Sequence, residues 1–299
     1  EHDSRTNGHT HTSARHGRTN GLTHGHTHRR KLTETGEMEH YIPVVLSIAG
    51  ATIGFEISRA HQVGVRSAFA FTTVTTTRDI PAIWYREVAW QGRQRFVRDD
   101  PHRSNEVIPV GQTLEQLVDD LQLSIALHAR NEVFVHAGVV AWNGQAIVLP
   151  GRSRAGKSTL VEALVRAGAT YCSDEYACVT ADGAVAPFPR PLHLRTESGR
   201  RVIEPHTIGS VADEPLPPGL VLFTQYVRAA TFEPEIVPPA AAALKIFDNT
   251  IVAEVQPDRA SRAAAHLART AIVMRSDRSD ADRASEQILD LVDRTKVPL

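Results

Sequence analysis

Apolar residues along this chain recur first with a period of two, then of about 3.6, and then alternate between the two, which separates strands from helices. From residue 41 to about 111 the pattern is that of strands. Segments 44–57 and 65–77 are rich in Val, Ile, Phe and Thr, and Trp84, Trp90 and Phe96 stand in shorter runs separated by Pro81, Gln91-Gly92 and Pro101. A β-rich lobe is expected over residues 39–111, and its residues suggest no chemistry.

A helix opens at Thr113, where Gln116 three residues on completes a capping box, and carries Leu114, Leu117, Val118, Leu121 and Ile125 at helical spacing. Segments 133–141 and 145–149 read as strands joined by Asn143-Gly144, a strong signal for a two-residue hairpin turn. Leu160, Val161, Leu164 and Val165 give a short amphipathic helix that Gly168 is placed to end. A strand at 169–173 then stops at the acidic pair Asp174-Glu175. Further on, the pattern predicts a buried strand at 221–226, helices around 240–247 and after Asp258, a strand at 271–274 and a helix from about 280 to 294. This alternation makes residues 112–299 an α/β domain.

Composition narrows the class. A chain of 299 residues that is 41% hydrophobic and 22% charged can bury a sizeable core, as one large domain or two small ones. Its formal net charge of −1 gives no pull toward nucleic acid or an anionic membrane, so neither is expected as a partner. Cys172 and Cys178 are too few for a disulfide framework or a four-ligand zinc site. The most apolar stretch, 44–55, is broken by Ser47, Gly50, Thr52 and Gly54 and falls short of the roughly 18 residues a spanning helix needs. With no apolar signal segment at its start, the chain is expected to be cytoplasmic.

The first 38 residues differ from the rest. Arg5-Thr6-Asn7-Gly8 recurs as Arg18-Thr19-Asn20-Gly21, and His2, His9, His11, His16, His24, His26 and His28 crowd a polar tract with little to bury. A disordered His-rich tail is expected, its histidines offering at most weak metal binding; translation starting at Met38 is the alternative.

The chemistry concentrates at residues 151–159. Gly151, Arg152, Ser153, Arg154, Ala155, Gly156, Lys157, Ser158 and Thr159 match G-x-x-x-x-G-K-[ST], between an apolar run and a helix. Glycines let the backbone turn so that successive N–H groups face phosphate oxygens, and the helix start adds partial positive charge. Lys157 would charge-pair the β- and γ-phosphates of ATP, and the Ser158 hydroxyl would face Mg²⁺. The acids Asp174 and Glu175 follow one helix and one strand later.

From His136 through Glu175 the chain resembles the catalytic domain of the HPr kinase/phosphorylase family. In that family a His-bearing strand, a hairpin, the phosphate loop, a short helix and an acidic pair follow at the intervals seen for His136, Lys157 and Asp174-Glu175. The family pattern at the pair is Asp-Asp, so Glu175 departs from it while preserving charge. The resemblance implies a P-loop kinase domain that passes the γ-phosphoryl group of ATP to a hydroxyl, in that family a serine of a small carrier protein. It further implies Asp174 as base, His136 beside it to tune or orient it, Glu175 with Ser158 on Mg²⁺, and a homo-oligomer.

Beyond the pair, 187–195 is a proline-punctuated segment whose Arg190 and Arg195 are candidate phosphate or acceptor contacts, and 205–219 reads as a long mobile loop, a candidate lid or acceptor-docking element. The family's Glu-Arg-Gly-rich second signature has at best a faint echo in Arg195-Thr196-Glu197-Ser198-Gly199, so the resemblance is to a divergent relative whose acceptor is a protein, a peptide or a small hydroxylated metabolite. Phosphorolysis is the less favoured direction. A nucleotide-dependent switch would keep the loop but need no base. A carboxykinase-like enzyme would need further His and Lys ligands, yet lysine occurs only at 31, 157, 245 and 296.

Overall fold

The computed structural model describes residues 41–70, 72, 74–90, 93–100, 107–151, 156–196 and 199–295. The His-rich tail and the loop residues Arg152, Ser153, Arg154 and Ala155 lie outside the described residues. The chain is a mixed α/β protein with two large sheets.

The first sheet comprises β1 (Val44–Ile48), β2 (Ala51–Glu56), β3 (Val74–Thr76), β4 (Ile83–Trp90), β5 (Arg93–Asp99) and β6 (Val107–Gly111), in the order β3-β1-β2-β4-β5-β6 among the described residues. Two sequence expectations change here. The apolar run 44–57 is a hairpin rather than one strand, because Ala49 and Gly50 both take positive φ (48° and 75°) and reverse the chain. The first part of 65–77 is helical: α1 (Arg59–Ala68) starts at Ser58, whose side chain accepts the His61 N–H, and buries Val65. The β-branched residues of that run pack equally well on a helix once a cap and a core contact favour it. Only its end, β3, pairs as a strand.

Helix α2 (Leu114–His128) opens with the expected Thr113–Gln116 capping box. Its Leu117, Leu121 and Ile125 pack with Ile48, Ile53, Phe55 and Ile83 of the first sheet, and Phe134 and Tyr176 of the second sheet join the same core together with Phe188 of a connecting segment. One apolar cluster therefore joins the two sheets.

The second sheet is built on β7 (Val133–Trp142) and β8 (Gln145–Pro150). Their turn, Asn143-Gly144, takes φ of 50° and 74°, a left-handed pair that glycine accepts without strain. Around it lie β9 (Thr170–Ser173), β10 (Tyr176–Val179), β11 (Val185–Ala186), β14 (Pro218–Tyr226), β15 (Glu235–Ile236) and β16 (Ile272–Arg278), in the order β11-β10-β7-β8-β14-β16-β15, with β9 also on β7. Strands β8, β14 and β16 run parallel. Alternate side chains face opposite layers. Ile147, Leu149, Leu220 and Leu222 meet α3 (Lys157–Arg166) and α6 (Ala281–Arg294), while Val148, Val221 and Val273 meet α4 (Pro239–Phe247) and α5 (Pro257–Thr270).

A separate hairpin of β12 (Leu192–Thr196) and β13 (Gly199–Ile203) packs on α3, where Arg201 bonds Glu162 at 2.8 Å. Segment 205–219 is not a free lid. Ser210 and Ala212 bond the Tyr171 backbone, and Leu216 exchanges backbone bonds with Val185, which fastens the segment to the sheet edge. Its Asp213 and Glu214 line a cavity of about 450 Å³ beside Asn143 and Gly144, at the opposite end of the sheet from the phosphate loop. Its polar composition resembles a loop because backbone pairing to an edge does not need apolar side chains.

Candidate active site

Strand β8 ends at Pro150 and α3 begins at Lys157, so the motif occupies the carboxyl end of a central parallel strand, the usual ligand side of such sheets. Gly156 caps α3 in the left-handed conformation with φ of 76°. The backbone angle favours glycine, and a Cβ there would lie 2.7 Å from Arg278 Nη2, so the guanidinium would have to shift. The Lys157 ammonium donates to the Gly151 carbonyl at 2.6 Å. Burial pulls its pKa down, against the opposing pull of Glu175 and Asp174.

Strand β9 pairs with β7 and delivers Asp174 beneath the start of α3. Ser158 Oγ donates to Asp174 Oδ2 at 3.2 Å. Asp174 is 2% exposed, and burial lifts its carboxyl to about 6, opposed by Arg190 and by the hydroxyls of Ser158 and Tyr171. Tyr171 lies 3.4 Å from Oδ1 and donates to the Arg190 carbonyl at 2.8 Å. Arg190 Nε stands 3.8 Å from the same oxygen, and Nη2 stands 3.8 Å from Asp119 on α2.

His136 departs from its expected place. Its direct partner is Glu175, with Nδ1 3.5 Å from Oε1, and Asp174 acts on it only through the field. In the strand register Tyr176 of β10 lies opposite His136 and packs edge-on against its ring, while Glu175, just before β10, accepts the Ala137 N–H with its carbonyl. Burial, with Lys157 and Arg190 nearby, lowers His136 to about 4, leaving a neutral imidazole at neutral pH.

Lys157, Ser158, Asp174, Glu175, His136 and Arg190 thus form one cluster. Thr159 follows Ser158 on α3 and is exposed. Arg195 lies on β12 opposite Arg200, and its side chain lies outside the described residues. Sequence reasoning missed Tyr171, Asp119 and Arg278. Arg278, at the end of β16, donates from Nη2 to the Gly156 carbonyl at 2.8 Å and from Nη1 to the Ser279 carbonyl at 3.2 Å. These three belong to elements distant in sequence from the loop, and no spacing rule links them to it.

Among the described residues no group of three or more His, Cys, Asp or Glu is arranged to hold a metal ion. The Ser158 hydroxyl and the half-buried Glu175 carboxylate are hard oxygen donors, the type that shares Mg²⁺ with phosphate and water rather than enclosing it. No helix among the described residues is long and apolar enough to cross a membrane.

No protein-family model and no curated protein matches the chain. Among solved structures, it is similar to the HPr(Ser) kinase/phosphatase from Coxiella burnetii, with 15% identity and a TM-score of 0.31, over 54% of this chain and 93% of that one. A likeness at this level does not assign chemistry.

Proposed function

We propose that this protein is an ATP-dependent kinase that transfers the γ-phosphoryl group to a hydroxyl, with a serine of a protein or peptide as the favoured acceptor. The observation that supports the reading is the contact between Ser158 of the phosphate-loop motif and the buried Asp174, a carboxylate that would serve as the general base beside a phosphate held by that motif.

In the reaction the acceptor oxygen forms a bond to the γ-phosphorus, the bond from that phosphorus to the bridging oxygen breaks, and ADP leaves with the electron pair. The hydroxyl proton passes to Asp174. A carboxyl that titrates at about 6 is ionised at pH 7.5 yet holds a proton better than an ordinary aspartate, which suits a base working near neutrality. Ser158 donates its hydroxyl to Oδ2 and helps keep the carboxylate oriented. Lys157 takes phosphate oxygens in place of the Gly151 carbonyl. His136, neutral, stands beside Glu175, with Nδ1 3.5 Å from Oε1. Mg²⁺, when bound, would rest on Ser158 and Glu175 and neutralise charge across the β- and γ-phosphates.

A second allocation has a specific observation in its favour: Glu175 is more open than Asp174 and lies 3.5 Å from His136, so Glu175 is the alternative base and Asp174 the alternative metal-side acid. Incubating the chain with γ-labelled ATP and a panel of peptides, proteins and hydroxylated metabolites tests the reading. Label transfer lost in both Lys157→Ala and Asp174→Asn supports it. ATP binding without transfer to any acceptor favours a nucleotide switch. Under the first allocation the limb of the pH–rate profile near pH 6 disappears in Asp174→Asn and persists in Glu175→Gln.

A further inference from the structure

Three arginines are buried among the described residues: Arg98, Arg190 and Arg278. Arg98 meets Asp120 at 2.6 Å, and Arg190 lies 3.8 Å from both Asp119 and Asp174. Arg278, 2% exposed, has no carboxylate at ion-pair distance among the described residues, and its Nε has no acceptor. The charged or titratable groups that act on it are Asp280, whose side chain is spent capping α6, and Tyr226, its register partner on β14. Burying a cation without a counter-charge is costly, and a fold that retains one beside an anion cradle leaves a place for an anion.

The topology points the same way. Strands β8, β14 and β16 are parallel, so the last residue of β16 stands on the sheet end where β8 runs into the loop. There the guanidinium uses one terminal nitrogen on the Gly156 carbonyl and the other on the Ser279 carbonyl. Of its five N–H groups two are so engaged, and the planar fork that grips the loop can also present the rest to phosphate oxygens.

Resting on the nucleotide reading above, we infer that Arg278 is a second phosphate-binding cation of the loop, clamping its exit through Gly156 while contacting the polyphosphate chain of the bound nucleotide. Lysine cannot substitute fully, because an ammonium is a point charge and cannot span carbonyl and phosphate in one plane.

The test uses the full chain and titrates MgATP and inorganic tripolyphosphate, by calorimetry, into the unsubstituted protein, Arg278→Gln, Arg278→Lys and Lys157→Ala. Arg278→Gln is expected to lose roughly ten- to hundredfold in affinity for both ligands, and Arg278→Lys to recover only part of it. Arg278→Gln that keeps its far-UV circular dichroism and binds both ligands within twofold of the unsubstituted protein overturns the inference. Loss for ATP with tripolyphosphate unaffected overturns it as well, since the contact would then be to the nucleoside. Should Arg278→Gln fail to fold, unchanged affinity in Arg278→Lys overturns it. If Lys157→Ala loses affinity while the Arg278 variants do not, the nucleotide reading stands and only the role of Arg278 falls. If the unsubstituted protein binds neither ligand, both fall.

Discussion

Around the first sheet, Arg98 and Asp120 meet at 2.6 Å, Tyr85 donates to Asp120 at 2.6 Å, and Ser124 closes the group at 2.7 Å from the Tyr85 hydroxyl. Around the phosphate loop, the contacts of Asp174 are 3.2, 3.4 and 3.8 Å, His136 stands 3.5 Å from its acid, and Arg278 bonds two carbonyls but has no acid at ion-pair distance among the described residues. Both regions bury charge, and only the first neutralises it internally with short bonds. Arg98 also leaves Nε without an acceptor, but its terminal nitrogen already has its carboxylate. The difference teaches how to tell scaffold from site when both are polar and buried: a scaffold network is complete as it stands, whereas a site leaves valence for what it binds.

The widest separation between the two regions is expected from Asp174→Asn. It should reduce phosphoryl transfer by roughly 10³-fold, since a positioned base contributes about that much. The same substitution should raise stability. The folded carboxyl titrates at about 6, above the ordinary 3.8, so between these values the folded state binds more protons and stability falls as pH rises. An amide avoids that cost, and urea unfolding at pH 8 should show a gain on the order of 1–2 kcal/mol. A loss instead would place Asp174 with the scaffold.

Asp120→Ala should do the reverse, lowering stability by about 3 kcal/mol because Arg98 and Tyr85 are left buried without their partner. Nucleotide affinity should not move. An equal fall in affinity at constant fold would erase the distinction between the regions.

His136→Asn sharpens the comparison through pH. Its folded value of about 4 lies below the ordinary 6.5, so the unfolded state binds more protons between them and stability rises with pH across that window. This rise opposes the fall due to Asp174, and the two nearly cancel. Without the imidazole, unfolding free energy should decline by about 2 kcal/mol from pH 4 to pH 6.5, and a profile as flat as that of the unsubstituted protein would contradict the assignment. The smallest effect is expected at the exposed Arg275–Glu235 pair, 2.8 Å apart, where Glu235→Gln should change stability by no more than about 0.5 kcal/mol in thermal or urea unfolding.

Local signals were sufficient wherever one short segment settled its own conformation. The Thr113–Gln116 box, the Asn143-Gly144 turn, the start of α3 at Lys157 and its end near Gly168 were all legible, because each rests on a cap or a backbone angle that a few neighbouring residues specify. The run 65–77 was not legible, since its β-branched residues suit either state and the core contact of Val65 settled it. Segment 205–219 likewise owes its order to pairing with β9 and β11. The motif and the acidic pair could be read as chemistry, but not which acid touches Ser158 and which touches His136. That depends on the register of β9 and β10 against β7.

By itself, then, the amino-acid order determined the phosphate-loop motif, most of the strand and helix pattern around it and the candidate residues His136, Lys157, Ser158, Asp174 and Glu175, because turns, caps and periodicity are short-range properties. Tertiary structure alone decided that Tyr171, Arg190 and Arg278 join them and that Glu175 rather than Asp174 is the partner of His136. Those contacts are made by strands and loops brought together only when the parallel sheet forms and its helices cover both faces, and side-chain chemistry carries no record of which distant neighbour that packing will supply.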